Sequence, residues 1–397
     1  MAKTRRRLAL ATTSTLVSAA IAVPLVRQYV ASAGENNVVF VDTNDELTQI
    51  LQRDKAAPEE THGAPEGPEL VLRPLDEETA KQFFPSLELV TVDYDEHAYV
   101  LNVKSHSRMK KWEEHPDGEI DIQTNSEGFR ETEEVRTEGV DFRVAVLGDS
   151  HTAGVIATDE SFANVLEARL GQELSPKVVD VINAGVGGTT VYNYLGMIEL
   201  LAKYEPDAYV VTVYGGNDFG AAAKLRRYFE RLGPYRVRGA IKPAAARKAW
   251  RESGKTRAQE TQQVRYFDAN PEDVDLAIGA VQGVLGRMAD RCEELDAELI
   301  VVYLPPPLSA QPEQYAEYIE MATLALGDDT HGLTVSDMIA DPMLSFAEER
   351  GLTTVDLRIP FGQTDEPLYW FADFHIDIEG HQAVADELFP ILFEIAQ

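Results

Sequence analysis

The chain has 397 residues, which bounds it to one large domain with appendages or two substantial units at most. Its 36 Lys and Arg stand against 67 Asp and Glu, a net charge near −31, and a surface that acidic repels polyanions and argues against nucleic acid as a partner. The single cysteine, Cys292 in the helix-like run 288–292, excludes a disulfide framework and a cysteine zinc site and reads as a core residue.

Lys3, Arg5, Arg6 and Arg7 precede the apolar stretch Leu8 to Val26, which is broken by hydroxyl residues and Pro24. This is the pattern of an export signal or a membrane anchor. Residues 4–8 resemble a twin-arginine signature, and Ala31-Ser32-Ala33 offers a small-residue cleavage site. Cleaved or anchored, residues 1–33 would put the rest of the chain outside the cytoplasm. Residues 54–68, rich in Pro, Gly and charge, read as a flexible linker. Residues 87–103 alternate apolar and polar side chains and predict a β-hairpin or pair of strands, with another strand-like piece at Ile120-Asp121-Ile122. Residues 34–140 thus form a small β-rich region with its linker.

From about residue 141 short apolar runs alternate with segments of helical spacing. The runs are Val144–Leu147, Val178–Ile182, Tyr209–Val213, Leu299–Tyr303 and Thr353–Leu357. Strand then helix, repeated, predicts an α/β fold over 141–397: a doubly wound parallel sheet of about five strands, flanked by helices. Ligands of such sheets bind beyond the carboxyl ends of the strands. Polar, glycine-bearing turns stand at those ends: Gly148-Asp149-Ser150, then Asn183 to Thr189, then Gly215-Gly216-Asn217-Asp218, and near the C-terminus Asp373 to His381, which carries Asp373, His375 and Gly380.

Each turn alone is ordinary, because Ser and Asp commonly end a strand and cap a helix. The glycine run lacks the Walker lysine and the full dinucleotide spacing. Together the turns supply the parts of acyl transfer: a hydroxyl nucleophile, an imidazole to take its proton, a carboxylate to hold that imidazole, and donors for an oxyanion. Ser150, His375 and Asp373 suit the first three roles. The backbone N–H groups of Ser150 and Gly188 and the side-chain amide of Asn217 suit the last.

The four turns, in this order, resemble the SGNH hydrolases, also called GDSL-type esterases and lipases. The resemblance covers roughly 141–397 and implies a flavodoxin-like sheet and ester chemistry without a cofactor. It implies Ser150 as nucleophile, Gly188 and Asn217 as oxyanion donors, and Asp373 and His375 as the rest of a triad. Asn125 to Arg130 resembles a stretch that precedes the first turn in exported bacterial members. Many members carry the aspartate three residues before the histidine, where this chain has Ala372; Asp373 lies two before.

His151 stands where the family name has leucine, and it reads as a surface or packing residue before a contact to the leaving group. His381 reads as a structural histidine on the last helix. Asp373, His375 and Asp377 are also readable as metal ligands, but no second cluster with ligand spacing accompanies them, so no metal is expected. Residues 221–265 carry thirteen Lys and Arg against three Glu, a local charge near +10. They predict either a solvated helical cap or a lid that meets an anionic lipid surface or an acidic substrate.

The expected function is a serine hydrolase acting on a small-molecule, lipid or glycan ester. The alternatives are an O-acyltransferase or deacetylase of a cell-envelope glycan, which would use the same residues, and a non-catalytic envelope binding protein.

Overall fold

The structure, a computed structural model, describes residues 67–89, 92–102, 106–236, 259–320 and 334–397. The signal or anchor at 1–33, most of the 54–68 linker and residues 237–258 of the basic segment lie outside the described residues. Those described belong to one compact unit, Gly63–Gln397.

Its centre is a parallel sheet of five strands: β5 (Phe142–Leu147), β6 (Val179–Asn183), β7 (Ala208–Tyr214), β8 (Glu298–Leu304) and β9 (Thr353–Asp356). The order across the sheet is β6-β5-β7-β8-β9, with every neighbouring pair parallel. β5, β6 and β7 are buried along their whole length. That is why they read as mostly apolar runs, interrupted only by Arg143, Asp180, Asn183 and Thr212, rather than as regularly alternating ones. The expected doubly wound sheet is present, and its strands start or end within two residues of the expected positions.

One buried ion pair pins the register at the start of the sheet. Arg143 on β5 faces Asp180 on β6, and its Nε donates to Asp180 Oδ2 at 2.7 Å. A slip of one residue would send the two side chains to opposite faces and leave both charges buried and unpaired.

Helices flank the sheet. The main ones are α1 (Glu77–Phe83), α2 (Ser150–Ala153), α3 (Phe162–Glu173), α4 (Val191–Leu201), α5 (Asp218–Phe229), α6 (Gln259–Ala269), α7 (Asp273–Glu294), α8 (Val335–Glu349) and α9 (Ile378–Ala396), with short turns of helix at Pro307–Ala310 and Arg358–Gly362. α3 packs on β6 and α9, while α7 packs on α4, α5 and α8. Cys292 lies buried on α7, where burial pushes its thiol up to about 12, so it is a core residue. Among the described residues no helix is long and apolar enough to cross a membrane.

The upstream β-rich region contributes two small antiparallel pairs. β1 (Val92–Asp93) meets β2 (Leu101–Asn102), and β3 (His106–Lys111) meets β4 (Glu119–Thr124). The first pair falls in the expected 87–103 run. The Ile120–Ile122 piece belongs to β4, whose partner β3 was not expected. This region shares the main core: Leu75, Phe84, Leu87, Ala98 and Val100 are buried with the sheet residues. Residues 97–98 lie so close on α4 that a Cβ on Gly196 would fall 2.0 Å from His97 O.

Of the basic segment, residues 221–236 and 259–265 are described, largely as helix. Several of its cations are paired: Arg226 with Glu230, Arg227 with Asp273 and Arg236 with Glu272. The described parts are helical, with Ala222, Ala223, Leu225, Phe229 and Val264 buried in the core.

Candidate active site

β5 delivers Ser150. The strand ends at Leu147, Gly148 turns the chain, and Asp149 caps α2 by accepting the His151 N–H at 2.8 Å. Ser150 is the first residue of that helix, where backbone N–H groups have no partner one turn back. The same geometry that caps a helix therefore presents the hydroxyl at the carboxyl end of the sheet.

β6 delivers the glycine turn and clamps it to α2. Asn183 donates from Nδ2 to Thr152 O at 3.1 Å and accepts the Gly185 N–H on Oδ1 at 3.1 Å. Gly185 is required by contact, since a Cβ there would lie 2.3 Å from Ala153 N. Gly187 stands against Ser150, with the place of a Cβ 3.7 Å from Ser150 Cβ. Gly188 has φ +76°, a left-handed conformation that glycine takes without strain. The hydroxyl of Ser86, which precedes the sheet domain, lies 3.3 Å from where a Gly188 Cβ would be.

β7 delivers Asn217. Its Nδ2 donates to Asp149 Oδ2 at 3.2 Å and to Gln259 Oε1 at 2.7 Å. Beneath it, Asp218 accepts the Tyr214 N–H at 3.0 Å and the Tyr194 hydroxyl at 3.1 Å. Burial pushes the Asp218 carboxyl well above the usual range, and the neighbouring Asp149 adds to the shift. Asp149 is raised too, chiefly by burial.

The loop before α9 delivers the other two groups. Tyr369 bridges Ile376, the Trp370 N–H donates to His375 O at 2.8 Å, and the Phe374 N–H donates to Trp370 O at 2.9 Å. Phe374 sits at φ +64°, a conformation costing a bulky residue about 1–3 kcal/mol, and its buried ring packs on Tyr315 and Tyr318. That single left-handed residue folds the loop so that Asp373 and His375, two apart, meet. His375 Nε2 lies 2.8 Å from Ser150 Oγ. His375 Nδ1 lies 2.9 Å from Asp373 Oδ2, although the ring N–H does not point squarely at that oxygen. Such loose alignment is common before substrate binds. Asp373 Oδ1 also accepts the His375 backbone N–H at 3.1 Å.

Burial by itself would raise the Asp373 carboxyl. The hydrogen bonds and charge of His375, with a smaller part from Lys110, outweigh it and hold the group below its usual range. An ionised carboxylate beside the imidazole suits it to fix the tautomer and to balance a positive charge there.

The upstream hairpin reaches this loop, which nothing in the sequence announces. Glu114 Oε2 accepts the Ala372 N–H at 3.2 Å. Trp112 stands edge-on to Trp370 with ring centres 6.3 Å apart, and Lys110 Nζ lies 4.1 Å over the Trp112 ring. Trp370 Nε1 in turn donates to Val155 O at 3.0 Å.

His381 and His151 are packing residues. His381 Nδ1 accepts the Phe162 N–H at 3.1 Å, and burial pushes its ring down to about 3, so it is neutral. His151 is buried with its ring centre 3.7 Å from that of Tyr214 and 4.7 Å from that of His375. It packs behind His375 and does not face solvent. Among the described residues no group of three or more His, Cys, Asp or Glu is arranged to hold a metal ion.

The structure thus brings Ser150, His375 and Asp373 into contact, with Gly187 beside Ser150 and Gly188 following it. It joins Asn217 to the serine turn through Asp149. Sequence reasoning missed Gln259, Ser86, Asn183 and the Lys110–Glu114 turn. For Asn183 the signal was its place at the head of the glycine run.

A hydroxyl, an imidazole and a carboxylate gathered at the carboxyl ends of a five-stranded parallel sheet make this a serine hydrolase on an α/β, flavodoxin-like sheet. The chain belongs to the GDSL-like Lipase/Acylhydrolase family, whose model matches residues 146–383, and it is a serine esterase of the SGNH type. Among solved structures it is similar to an alpha/beta hydrolase enzyme from the metagenome of Lake Arreo, Spain, at 15% identity, covering 66% of this chain and 99% of that one with a TM-score of 0.38. It is also similar to the psychrotrophic esterase EstA from Pseudoalteromonas sp., at 14% identity, covering 62% and 94% with a TM-score of 0.34. A third is the lipase/acylhydrolase from Enterococcus faecalis, at 13% identity, covering 64% and 96% with a TM-score of 0.35. No curated protein matches the chain.

Proposed function

We propose that this esterase cleaves a carboxylic ester through an acyl-enzyme intermediate on Ser150. The observation that carries the reading is the row Ser150 Oγ, His375 Nε2, His375 Nδ1, Asp373 Oδ2, with gaps of 2.8 and 2.9 Å at its two ends. His375 takes the Ser150 proton as Oγ attacks the carbonyl carbon, then returns it to the departing alcohol. Water repeats the sequence on the acyl-enzyme and releases the acid. Asp373 stays ionised throughout and holds the imidazole. The N–H groups of Ser150 and Gly188 and the Asn217 amide receive the oxyanion, and the loss of one such donor costs about 2.7–4 kcal/mol of transition-state stabilisation.

A fluorophosphonate probe tests this directly. It should label the wild-type chain and fail to label Ser150→Ala; labelling that survives the substitution would sink the assignment of Ser150. Product analysis with water and with sugar acceptors separates hydrolysis from acyl transfer to or from an envelope glycan, which would use the same groups. A panel of short and long acyl esters reads the acyl preference. Residues 1–33 support a location outside the cytoplasm, and cell fractionation that finds the full chain in the cytoplasm would overturn it.

A further inference from the structure

Asn217 carries two amide protons, and in this structure both are taken. One is donated to Asp149 Oδ2 at 3.2 Å and one to Gln259 Oε1 at 2.7 Å. Its own Oδ1 is buried and has no hydrogen-bond partner among the described residues. An oxyanion donor acts by holding a proton ready, about 2.7–3.1 Å from where the charged oxygen will form. Here a neutral amide oxygen already sits at that distance.

The two acceptors differ in their freedom. Asp149 is sealed under the turn and is also held by the His151 N–H at 2.8 Å. Gln259 is half-buried, on the first residue of α6. The helix itself is fastened by its neighbours. Glu260 Oε2 accepts the Leu308 N–H at 3.2 Å. One turn on, Gln263 Nε2 donates to Gly215 O at 2.6 Å and to Ser336 Oγ at 3.0 Å, while its Oε1 accepts the Gly220 N–H at 2.8 Å. The helix can therefore stay in place on the Gly215–Asn217 turn while the Gln259 side chain rotates away about its own torsions.

We propose that Gln259 competes with the ester carbonyl for the Asn217 proton, so that a substrate reacts only as its carbonyl oxygen displaces Gln259 Oε1. This rests on the reading of Asn217 as an oxyanion donor. Gln259 is then a positioning residue that acts through Asn217. It favours esters whose other contacts help to drive the exchange over small, weakly held ones.

The test uses the full chain, with p-nitrophenyl acetate for steady-state kinetics and a fluorophosphonate for labelling. Gln259→Leu keeps the bulk and removes the acceptor, and Gln259→Ala removes both. Each should raise kcat/KM and the labelling rate about threefold to tenfold, the worth of one neutral hydrogen bond, with KM little changed. Gln259→Glu at pH 8 should lower both rates, because an ionised acceptor holds the amide proton about twice as strongly. A merely structural Gln259 would slow all three variants. One that binds substrate would raise KM in the Leu and Ala variants. Either result overturns the inference, as does an unchanged rate. If Gln259→Leu does not fold, the opposite signs expected of Gln259→Ala and Gln259→Glu decide alone. A wild-type chain that resists labelling, or a labelled Ser150→Ala, would bring down the site reading and this inference with it. Normal labelling lost in Ser150→Ala, with no acceleration in the Gln259 variants, removes the inference alone.

Discussion

Two groups of carboxylates flank Ser150, and they are held in opposite states. Asp373 lies in the loop before α9, partly open to solvent, against His375 and within the field of Lys110. Asp149 and Asp218 lie under the Asn217 turn among Tyr194, Tyr214 and His151, closed off from water. The first carboxyl is held below its usual range; the second pair is pushed above it, mainly by burial. The chemistry of the side chain is the same in both places. Cationic partners and residual water make one suited to balance an imidazolium, while burial makes the other pair scaffolding that shapes the turns.

The sharpest break in this comparison comes from replacing each side in turn by asparagine. Asp373→Asn should leave His375 without a tautomer anchor and lower kcat/KM by about a thousandfold to ten-thousandfold. Asp218→Asn keeps an oxygen for the Tyr214 N–H and the Tyr194 hydroxyl, and it replaces a carboxyl whose ionisation burial and the neighbouring Asp149 disfavour. Its kcat/KM should fall less than about tenfold. Steady-state ester hydrolysis by the two purified variants checks both. Equal losses would mean that Asp218 takes part in the reaction or is ionised in the folded chain.

A smaller effect follows in the pH dependence of stability. Glu131 belongs with the sealed carboxyls: it accepts the Asn183 N–H at 2.7 Å, and burial pushes it up to about 8 from 4.5. The folded chain keeps a proton there that the unfolded chain has lost, so stability should fall as pH rises from about 4.5 to about 8. Asp373 works the other way, and its contribution should be present at neutral pH and lost in acid below about 4. Thermal unfolding at pH 5, 6.5 and 8 checks the first slope, and Glu131→Gln should flatten it. A slope that is the same in the variant would place the effect on other groups.

The same contrast between local and distant control explains how much of the molecule could be read from its residues. β5, β6 and β7 were legible because burial on both faces leaves mostly apolar runs, and the topology then dictates that their polar ends meet. Ser150, Asp373 and His375 were legible for that reason. β3 was not, because His106 to Lys111 is polar but for the exposed Met109 and pairs with β4, where Ile120 and Ile122 alternate. Glu114 reaches Ala372 across 258 positions, and Gln259 reaches Asn217 across 42. Neither contact leaves a local period or spacing, since what selects it is the geometry of two turns brought together by the core. The Asp373–His375 spacing of two looked like a departure until the left-handed Phe374 explained how so short a segment closes.

His151 gives the smallest expected effect and the finest test of the packing behind the site. Its ring lies between those of Tyr214 and His375, and burial holds it neutral, far below the usual range. It serves as a flat plate, with one long hydrogen bond from the Ile376 N–H to Nδ1 at 3.4 Å. Leucine, the residue in the family name, has similar bulk and lacks only that acceptor. His151→Leu should therefore cost about 1 kcal/mol or less of stability, a fall of a few degrees in Tm, and should change kcat less than about threefold. A hundredfold loss of kcat in a variant that melts normally would mean that His151 touches the reacting groups. Its role would then move from packing to the leaving group.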